Sequence, residues 1–400
     1  MISFSPDDDE KLLIDAAARF AAAELRPHLR RHEEARALSD AARAAFHGLG
    51  LVGLDLPESL GFGGLRLVTR ALVEEELAAG DAGAAFALDP LGLGGQLLAA
   101  LGSSQQRETW LKPFLDEPLR AIALAAAESS AGPDFATTAT PDGEGFVLRG
   151  EKRHVLGGAR AGLFVVLAQL EPGRGLAGAA AFVVERGASG RADLTVVEDR
   201  DPVGLAELCP CTVTCNDYRL PASARLAPGV DLRPAMRTAL LRQALVAAAR
   251  ALGSARAAFE IARRYAEERI AFGKPIGHFQ AVAFLLADMA TELDAARLLL
   301  WRGCSALDHH HPEAPLRAAQ AVVHAHAASF FITNNAVQVL GGAGYVQDHP
   351  VEKWMRDAKA LALYALPTQA AHALAIAYEA SQEPADEDAF PFFALQPALT

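Results

Sequence analysis

Glu268-Arg269-Ile270-Ala271-Phe272-Gly273-Lys274-Pro275-Ile276, continuing to Phe279-Gln280-Ala281-Val282 and Leu286-Ala287-Asp288-Met289, is the stretch on which the reading of this chain turns. Alanine and leucine at helical spacing run into it from Leu232, with Arg263, Arg264, Glu267 and Glu268 in the last turns, and the same spacing resumes beyond it. The glycine and proline between them stop one helix and start another. Further breaks at Asp308 to Pro312 and at Gly341 to Pro350 divide residues 229–383 into four or five helices of about 15 to 25 residues, which predicts a four-helix-type bundle.

Upstream of the bundle the period changes. Gly145 to Gly150, Gly162 to Ala168, Ala180 to Glu185, Asp193 to Val197, Thr212 to Asn216 and Tyr218 to Pro221 are short β-rich runs between glycine turns, and Asp142-Gly143 reads as a hairpin turn. A β domain over 122–228 follows, with Pro221 to Gly229 leading out of it. Residues 1–121 read as mostly helical. Ser5-Pro6 before a run of acids predicts a cap and first turn for a helix reaching about Pro27. Ser39-Asp40 caps a second that ends at Gly48 and Gly50, and the Gly61 to Gly64 turn precedes an acidic helix around Glu74. The tail 384–400 is acidic and proline-bearing and reads as flexible. The class is α+β.

With 400 residues and 51% hydrophobic content, the chain has apolar surface enough for sizeable cores in two or three domains. Thirty-seven basic against 49 acidic residues give a net charge of -12 with no long basic run, which argues against a nucleic-acid partner. Four cysteines are too few for a disulfide scaffold, and the acidic start lacks the basic-then-apolar pattern of a secretion signal, so a reduced, cytoplasmic protein is expected. The apolar runs are alanine-rich and interrupted by charge, short of the roughly 20 residues a membrane span needs. No metal site is expected either. Cys211 and Cys215 alternate with Val213 along one strand face, which with Cys209 points to core residues, and His309-His310-His311 falls in a proline-bounded loop without acidic or cysteine partners.

The order of helical block, β block and bundle, with four phrases, resembles the acyl-CoA dehydrogenase family over nearly the whole chain. The phrases are Gly48 to Glu58 (GLGLVGLDLPE), Phe146 to Lys152 (FVLRGEK), the stretch from Glu268 to Met289, and Gln338 to Tyr345 (QVLGGAGY) with Met355 to Lys359 (MRDAK). The resemblance implies an N-terminal helical domain, a middle antiparallel β domain and a C-terminal bundle. It also implies FAD bound across a dimer interface, in an oxidoreductase acting on the CH–CH group of an acyl thioester such as acyl-CoA, within fatty acid or lipid metabolism. In that family a glutamate removes the α-proton while the flavin takes two electrons. By resemblance Arg269 pairs with the FAD pyrophosphate of the neighbouring subunit and Phe272 packs by its adenosine. Gln280 belongs to the same phrase, and Gln338, Gly341 and Gly342 close around the neighbour's adenine and ribose. Without the family context, Arg269 reads as part of a solvated helix face and Gln338 to Gly344 as a helix C-cap and turn.

The isoalloxazine side departs from the family pattern. Where the family has a threonine hydroxyl entering the β domain this chain has Ala127, in Ala127-Glu128-Ser129-Ser130-Ala131-Gly132-Pro133-Asp134, and where the family's W-I-T-N-G supplies another it has Leu156, in His154-Val155-Leu156-Gly157-Gly158. The glutamate position after M-R-D-A-K is Ala365, and the alternative position on the first bundle helix is Gln243, with Leu241 and Ala244 in place of the family's nearby aspartate and arginine. Glu128 and Glu379 remain as the nearest carboxylates by sequence, but Glu128 matches a loop residue with another role and Glu379 lies well down the last helix, and His154 and His372 read as satisfied or exposed histidines. The catalytic residue is therefore unassigned. Three readings follow: a base-lacking partner subunit in a hetero-oligomer whose other chain brings the glutamate, a self-sufficient homo-oligomeric dehydrogenase with a relocated base, and other, oxygenase-like flavin chemistry on the same scaffold. The first is favoured, because the residues facing the neighbour's FAD survive together while those facing the chain's own flavin do not.

Overall fold

The computed structural model describes residues 6–129, 134–187, 193–199 and 202–381. Its first helix, α1 (Asp8–Phe20), is capped by Asp7, whose carboxylate accepts the Glu10 N–H while Glu10 accepts the Asp7 N–H. This reciprocal box satisfies two donors that a helix start leaves free, so the cap falls two residues later than the Ser5-Pro6 reading placed it; Ser5 lies outside the described residues. A π turn (Ala21–Leu25) and a 3-10 turn (Arg26–His28) lead to α2 (Leu29–Ala35), and Ser39 caps α3 (Asp40–His47) as expected. Then come α4 (Leu67–Gly80), α5 (Ala82–Ala87), α6 (Gly92–Leu101) and the short α7 (Ser104–Gln106).

Ala82–Leu101 corrects one expectation, since by length and composition it is apolar enough to cross a membrane. The fold uses it differently. Asp89 and Pro90 break it into α5 and α6, the Asp89 carboxylate accepts the Leu91 and Gly92 N–H groups at 3.2 and 3.0 Å, and both helices are largely buried within the protein.

The middle block holds β1 (Ile122–Ala125), β2 (Thr138–Asp142), β3 (Gly145–Val155), β4 (Leu163–Gln169), β5 (Ala179–Glu185), β6 (Leu194–Glu198) and β7 (Cys211–Pro221). They form one seven-stranded sheet in the order β1-β4-β2-β3-β7-β6, with β5 beside β4. Pairing is antiparallel except that β1 runs parallel to β4 and β2 touches β4 in parallel at one position. The runs read separately at Thr212 and Tyr218 are one strand, irregular at Asp217, which sits at φ +55° where the register against β3 slips. Cys211, Val213 and Cys215 are buried together, and all four cysteines are free.

Beyond the sheet run α8 (Arg233–Glu268), a minimal hairpin of β8 (Ile270–Ala271) and β9 (Lys274–Pro275), α9 (Gln280–Asp308), α10 (Ala314–Leu340), the short α11 (Gly342–Tyr345), α12 (Val351–Leu361) and α13 (Thr368–Ser381). Three of these helices exceed the expected length, at 36, 29 and 27 residues. Alanine-rich sequence without internal proline gives no reason to stop. Gly253 inside α8 is a packing device, because a Cβ there would lie 2.2 Å from the Glu75 carbonyl oxygen of α4. The main apolar core is continuous between the N-terminal helices and this bundle, and a second core lies within the sheet.

Candidate functional site

α8 ends at Arg269, whose N–H still bonds the Tyr265 carbonyl while its own carbonyl accepts the Ile276 N–H, closing the hairpin. At the tip, Phe272 at φ +49° is 96% exposed. The Arg269 side chain is exposed too, and among the described residues no carboxylate pairs with it. Gln280 opens α9, exposed, at a helix N-terminus with no side-chain cap. In the last turn of α10 Gln338 is exposed, and Gly341 ends that helix at φ 60°, ψ -131°, a conformation that glycine alone adopts readily. No atom lies within 4 Å of where a Cβ on Gly341 or Gly342 would stand. Tyr265 meets His349 edge-on at 6.2 Å, which brings the two segments to one end of the bundle. Arg269, Phe272, Gln280, Gln338, Gly341 and Gly342 are all exposed rather than enclosed in a pocket. An unpaired guanidinium, a helix N-terminus and bare glycine backbone suit an anionic ligand, and an aromatic ring left in water suits contact with another body.

The entry to the β domain is built around a buried ion pair. Lys152 donates to Glu128 at 2.6 Å and to the Ala126 carbonyl at 3.2 Å, and its ammonium lies 4.1 Å over the Phe135 ring. Glu128 also accepts the backbone N–H groups of Ala136 (2.6 Å) and Thr137 (2.9 Å). Burial opposes its charge, but Lys152 and these donors together hold the carboxyl below its ordinary range, while burial brings the Lys152 ammonium down to about 8. Glu128 is committed to holding this loop in place. Ser130 to Pro133 lie outside the described residues. Ala127 offers no side-chain donor, and Leu156 packs against the main apolar core. His154, at φ +52°, is exposed and 3.2 Å from Asp199; His372 is exposed; Glu379 is exposed and accepts from Gln320 at 3.1 Å.

Ala365 stands in the turn between α12 and α13 at φ +56°, nearly buried, and its neighbour Tyr364 packs edge-on against Phe86 at 4.3 Å. Gln243 in α8 is 1% exposed, and neither polar atom of its carboxamide has a partner. Sequence reasoning missed a group that lies close by: Asp55, Arg70, Glu74, Asp89, Arg242 and Arg250 form one connected set of ion pairs in the interior. Arg70 and Glu74 one turn apart were a visible signal, as was Arg250 inside an alanine-rich helix. His310 and His311 line a surface cavity of about 250 Å³ with Arg237 and Arg242, and no set of metal-ligating side chains occurs among the described residues.

Comparison with known proteins bears on the whole of this arrangement. Family models match in chain order: acyl-CoA dehydrogenase, N-terminal domain, over 7–117; middle domain over 123–218; and C-terminal domain over 233–377. Cyclohex-1-ene-1-carbonyl-CoA dehydrogenase of Geobacter metallireducens is 34% identical over 361 residues, covering 89% of this chain and 94% of that one. Human mitochondrial short-chain specific acyl-CoA dehydrogenase is 32% identical over 364 residues, covering 89% and 86%. The solved structure of butyryl-CoA dehydrogenase from Megasphaera elsdenii superposes with a TM-score of 0.84 at 28% identity, covering 93% of this chain and 98% of that one. With all three domain models in order and identity above 30% along most of its length, the chain belongs to the acyl-CoA dehydrogenase family.

Proposed function

We propose that the chain takes part in FAD-linked α,β-dehydrogenation of an acyl thioester as the base-lacking partner subunit of a hetero-oligomer, a dimer or tetramer whose other chain supplies the glutamate. One contrast carries the reading: the residues assigned to the neighbour's FAD are present and exposed, while Ala127, Leu156, Ala365 and Gln243 stand at the positions assigned to the flavin-ring donors and the base.

FAD is the cofactor of the family, and the residues on the open end of the bundle fit its charged half. Arg269 would hold the pyrophosphate, Phe272 would pack by the adenosine, and Gln280, Gln338, Gly341 and Gly342 would border the adenine and ribose. Bound FAD supplies the hydride acceptor. On the chain's own side, neither Ala365 nor Gln243 can accept a proton. Glu128 is occupied by Lys152 and two backbone donors, and Glu379 is turned to solvent on α13. A proton leaving the α-carbon therefore needs a carboxylate from elsewhere.

The test is the flavin absorbance and dye-coupled turnover of acyl-CoA by the chain alone, and co-expressed with a family member that retains its glutamate. Loss of a positioned base costs about 10²–10⁴ in rate, so the chain alone should be slower by that factor. Turnover by the isolated chain at the rate of its glutamate-bearing relatives would overturn the reading in favour of a relocated base.

A further inference from the structure

The chain between β6 and β7 is clasped at both ends. On the α12 side, the Val203 carbonyl accepts from Arg356 Nη1 at 2.8 Å and the Leu205 N–H donates to Asp357 at 2.7 Å. Gly204 lies so near that a Cβ there would stand 2.5 Å from the Arg356 carbonyl oxygen. On the sheet side, the Leu208 carbonyl accepts the Gly157 N–H at 2.8 Å, in the turn that follows β3. Between these points runs one 3-10 turn (Ala206–Leu208), flanked by Leu205 at φ +55° and Cys209 at φ +42°. Both are left-handed conformations that a residue with a side chain holds only where its surroundings impose them. The shape of the segment is therefore set by what it is fastened to.

That fastening contains one carboxyl too many. Glu207 is 1% exposed and shares Lys353 with Asp81 and Asp357. Lys353 Nζ donates to Asp81 at 2.9 Å and to Asp357 at 2.8 Å, but although it stands 3.0 Å from Glu207 Oε1 it makes no hydrogen bond there. Neither Glu207 oxygen has a hydrogen-bond partner among the described residues, and a Cβ on Gly83 would stand 2.0 Å from Oε2, so the carboxyl is pressed against bare backbone at the start of α5. The other charged groups nearby are turned elsewhere. His32 of α2 faces Asp81 at 3.7 Å, and Arg356 of α12 is engaged by Glu33 of α2, by Glu352 and by the Val203 carbonyl. At the far end of the segment Cys209 is buried near Glu198, Arg36 and Arg160. With Glu207 protonated, two carboxylates face one ammonium; with Glu207 ionised, three do, and the third has no donor. Burial, with Asp81 and Asp357 alongside, accordingly lifts its carboxyl to about 8 against the pull of Lys353. A carboxylate formed in this place is stabilised by moving out into water.

We propose that residues 203–209 form a strap that is closed with Glu207 neutral and opens when it ionises, carrying Glu207 and Cys209 outward and releasing the Gly157 turn. The strap ties α12, the helix before the Ala365 turn, to the turn that includes Leu156 and Gly157, so its opening loosens both together. The inference concerns the chain's own conformation and needs neither a bound flavin nor a second subunit.

The experiment is timed alkylation of the full chain with iodoacetamide at pH 6, 7 and 8, each cysteine being followed by peptide mass spectrometry and its rate divided by that of a free thiol at the same pH. Cys209 sits at the end of the strap, whereas Cys304, buried in α9, is reached only when the bundle opens. An open strap lets Glu207 ionise in its ordinary range, so the open population grows through this window. The corrected Cys209 rate should rise by roughly 50-fold from pH 6 to pH 8 and level off above it. Cys304 should label far more slowly at every pH. In Glu207→Gln, which cannot ionise, the corrected Cys209 rate should stay flat. Gly204→Ala is a second variant that leaves the carboxyl alone: it crowds the strap against the Arg356 carbonyl, so Cys209 should label faster at pH 6 and keep the parent's slope. A parent rate that does not rise with pH, an equal slope in Glu207→Gln, or equal rates at Cys209 and Cys304 would each overturn the proposal.

Discussion

Replacing Lys353 with methionine probes the joint on which the three parts of the chain meet. Its ammonium, 1% exposed, donates to Asp81 between α4 and α5 (2.9 Å) and to Asp357 one turn along α12 (2.8 Å), and lies 3.0 Å from Glu207 in the segment between β6 and β7. His32 of α2 stands 3.7 Å from Asp81, and the Leu205 N–H donates to Asp357 at 2.7 Å. One buried cation thus serves three carboxylates. Burial, with Asp81 and Asp357 alongside, pushes the Glu207 carboxyl up to about 8 against the pull of Lys353, so Glu207 keeps its proton at neutral pH. Methionine leaves Asp81 and Asp357 without their cation, and breaking a buried pair in this way costs about 3–5 kcal/mol, read as a lower urea midpoint. Glu207→Gln is the control, because an amide imitates the protonated acid. The sign of the pH dependence follows from a folded-state value above the ordinary glutamate range. The stabilisation from Glu207 is complete below that range, declines as pH rises from about 5, and is gone once pH passes about 8. Melting temperatures across this window should fall for the parent and flatten for Glu207→Gln. An unchanged slope in Glu207→Gln, or a loss at pH 6 equal to that of Lys353→Met, would refute this account of the cluster.

Arg269→Ala should lower FAD occupancy of a co-purified complex by a factor of about 10 to 150, the worth of one charge-assisted contact, while His154→Ala leaves it nearly unchanged; flavin release and quantitation from matched complexes reads both. Because Arg269 has no carboxylate partner among the described residues, its removal should leave the melting temperature of the chain unaltered. Ala365→Glu in the isolated chain should not by itself restore family-level turnover, since Ala127 and Leu156 still give the flavin ring no side-chain donor; full activity in a dye assay would count against the partner reading. Gly253→Ala should destabilise by about 1–3 kcal/mol, the usual penalty of overpacking, because its methyl would sit 2.2 Å from the Glu75 carbonyl and force α4 away from α8; a urea titration measures it.

The fold was legible where periodicity is strong and local. The bundle breaks at Phe272-Gly273, at Asp308 to Pro312 and at Gly341 coincide with helix ends because glycine and proline act on the backbone whatever packs around them. Of the two strands not read, β2 leads into the Asp142-Gly143 turn that was, whereas β1 carries no such mark. Ile-Ala-Leu-Ala is as good a helix sequence as a strand, and is held extended by pairing with β4, a partner about 40 residues away that no local pattern announces. The Asp7 cap was missed for a different reason. Ser5-Pro6 and Asp7-x-x-Glu10 are competing signals two residues apart, and the reciprocal box offers two hydrogen bonds where a lone serine offers one.

The site divides along the same line. Arg269, Phe272, Gln338 and the glycines could be put forward from sequence because they lie in contiguous phrases at helix ends. The charged interior draws Asp55, Arg70, Glu74, Asp89, Arg242 and Arg250 from four separate segments, and only the tertiary fold makes them one network. What each charge means depends on that assembly. Arg250 alone reads as a polar residue on a long helix, yet with Glu74 and the Phe86 ring it is a fixed wall beside Tyr364. Gln243 is the sharper case. In the sequence it was informative only as the absence of a glutamate, whereas buried among apolar residues of α8 with both polar atoms unpaired it becomes a demand for a partner. Its burial is set by where α8 packs against the rest of the fold, which no spacing along the chain announces.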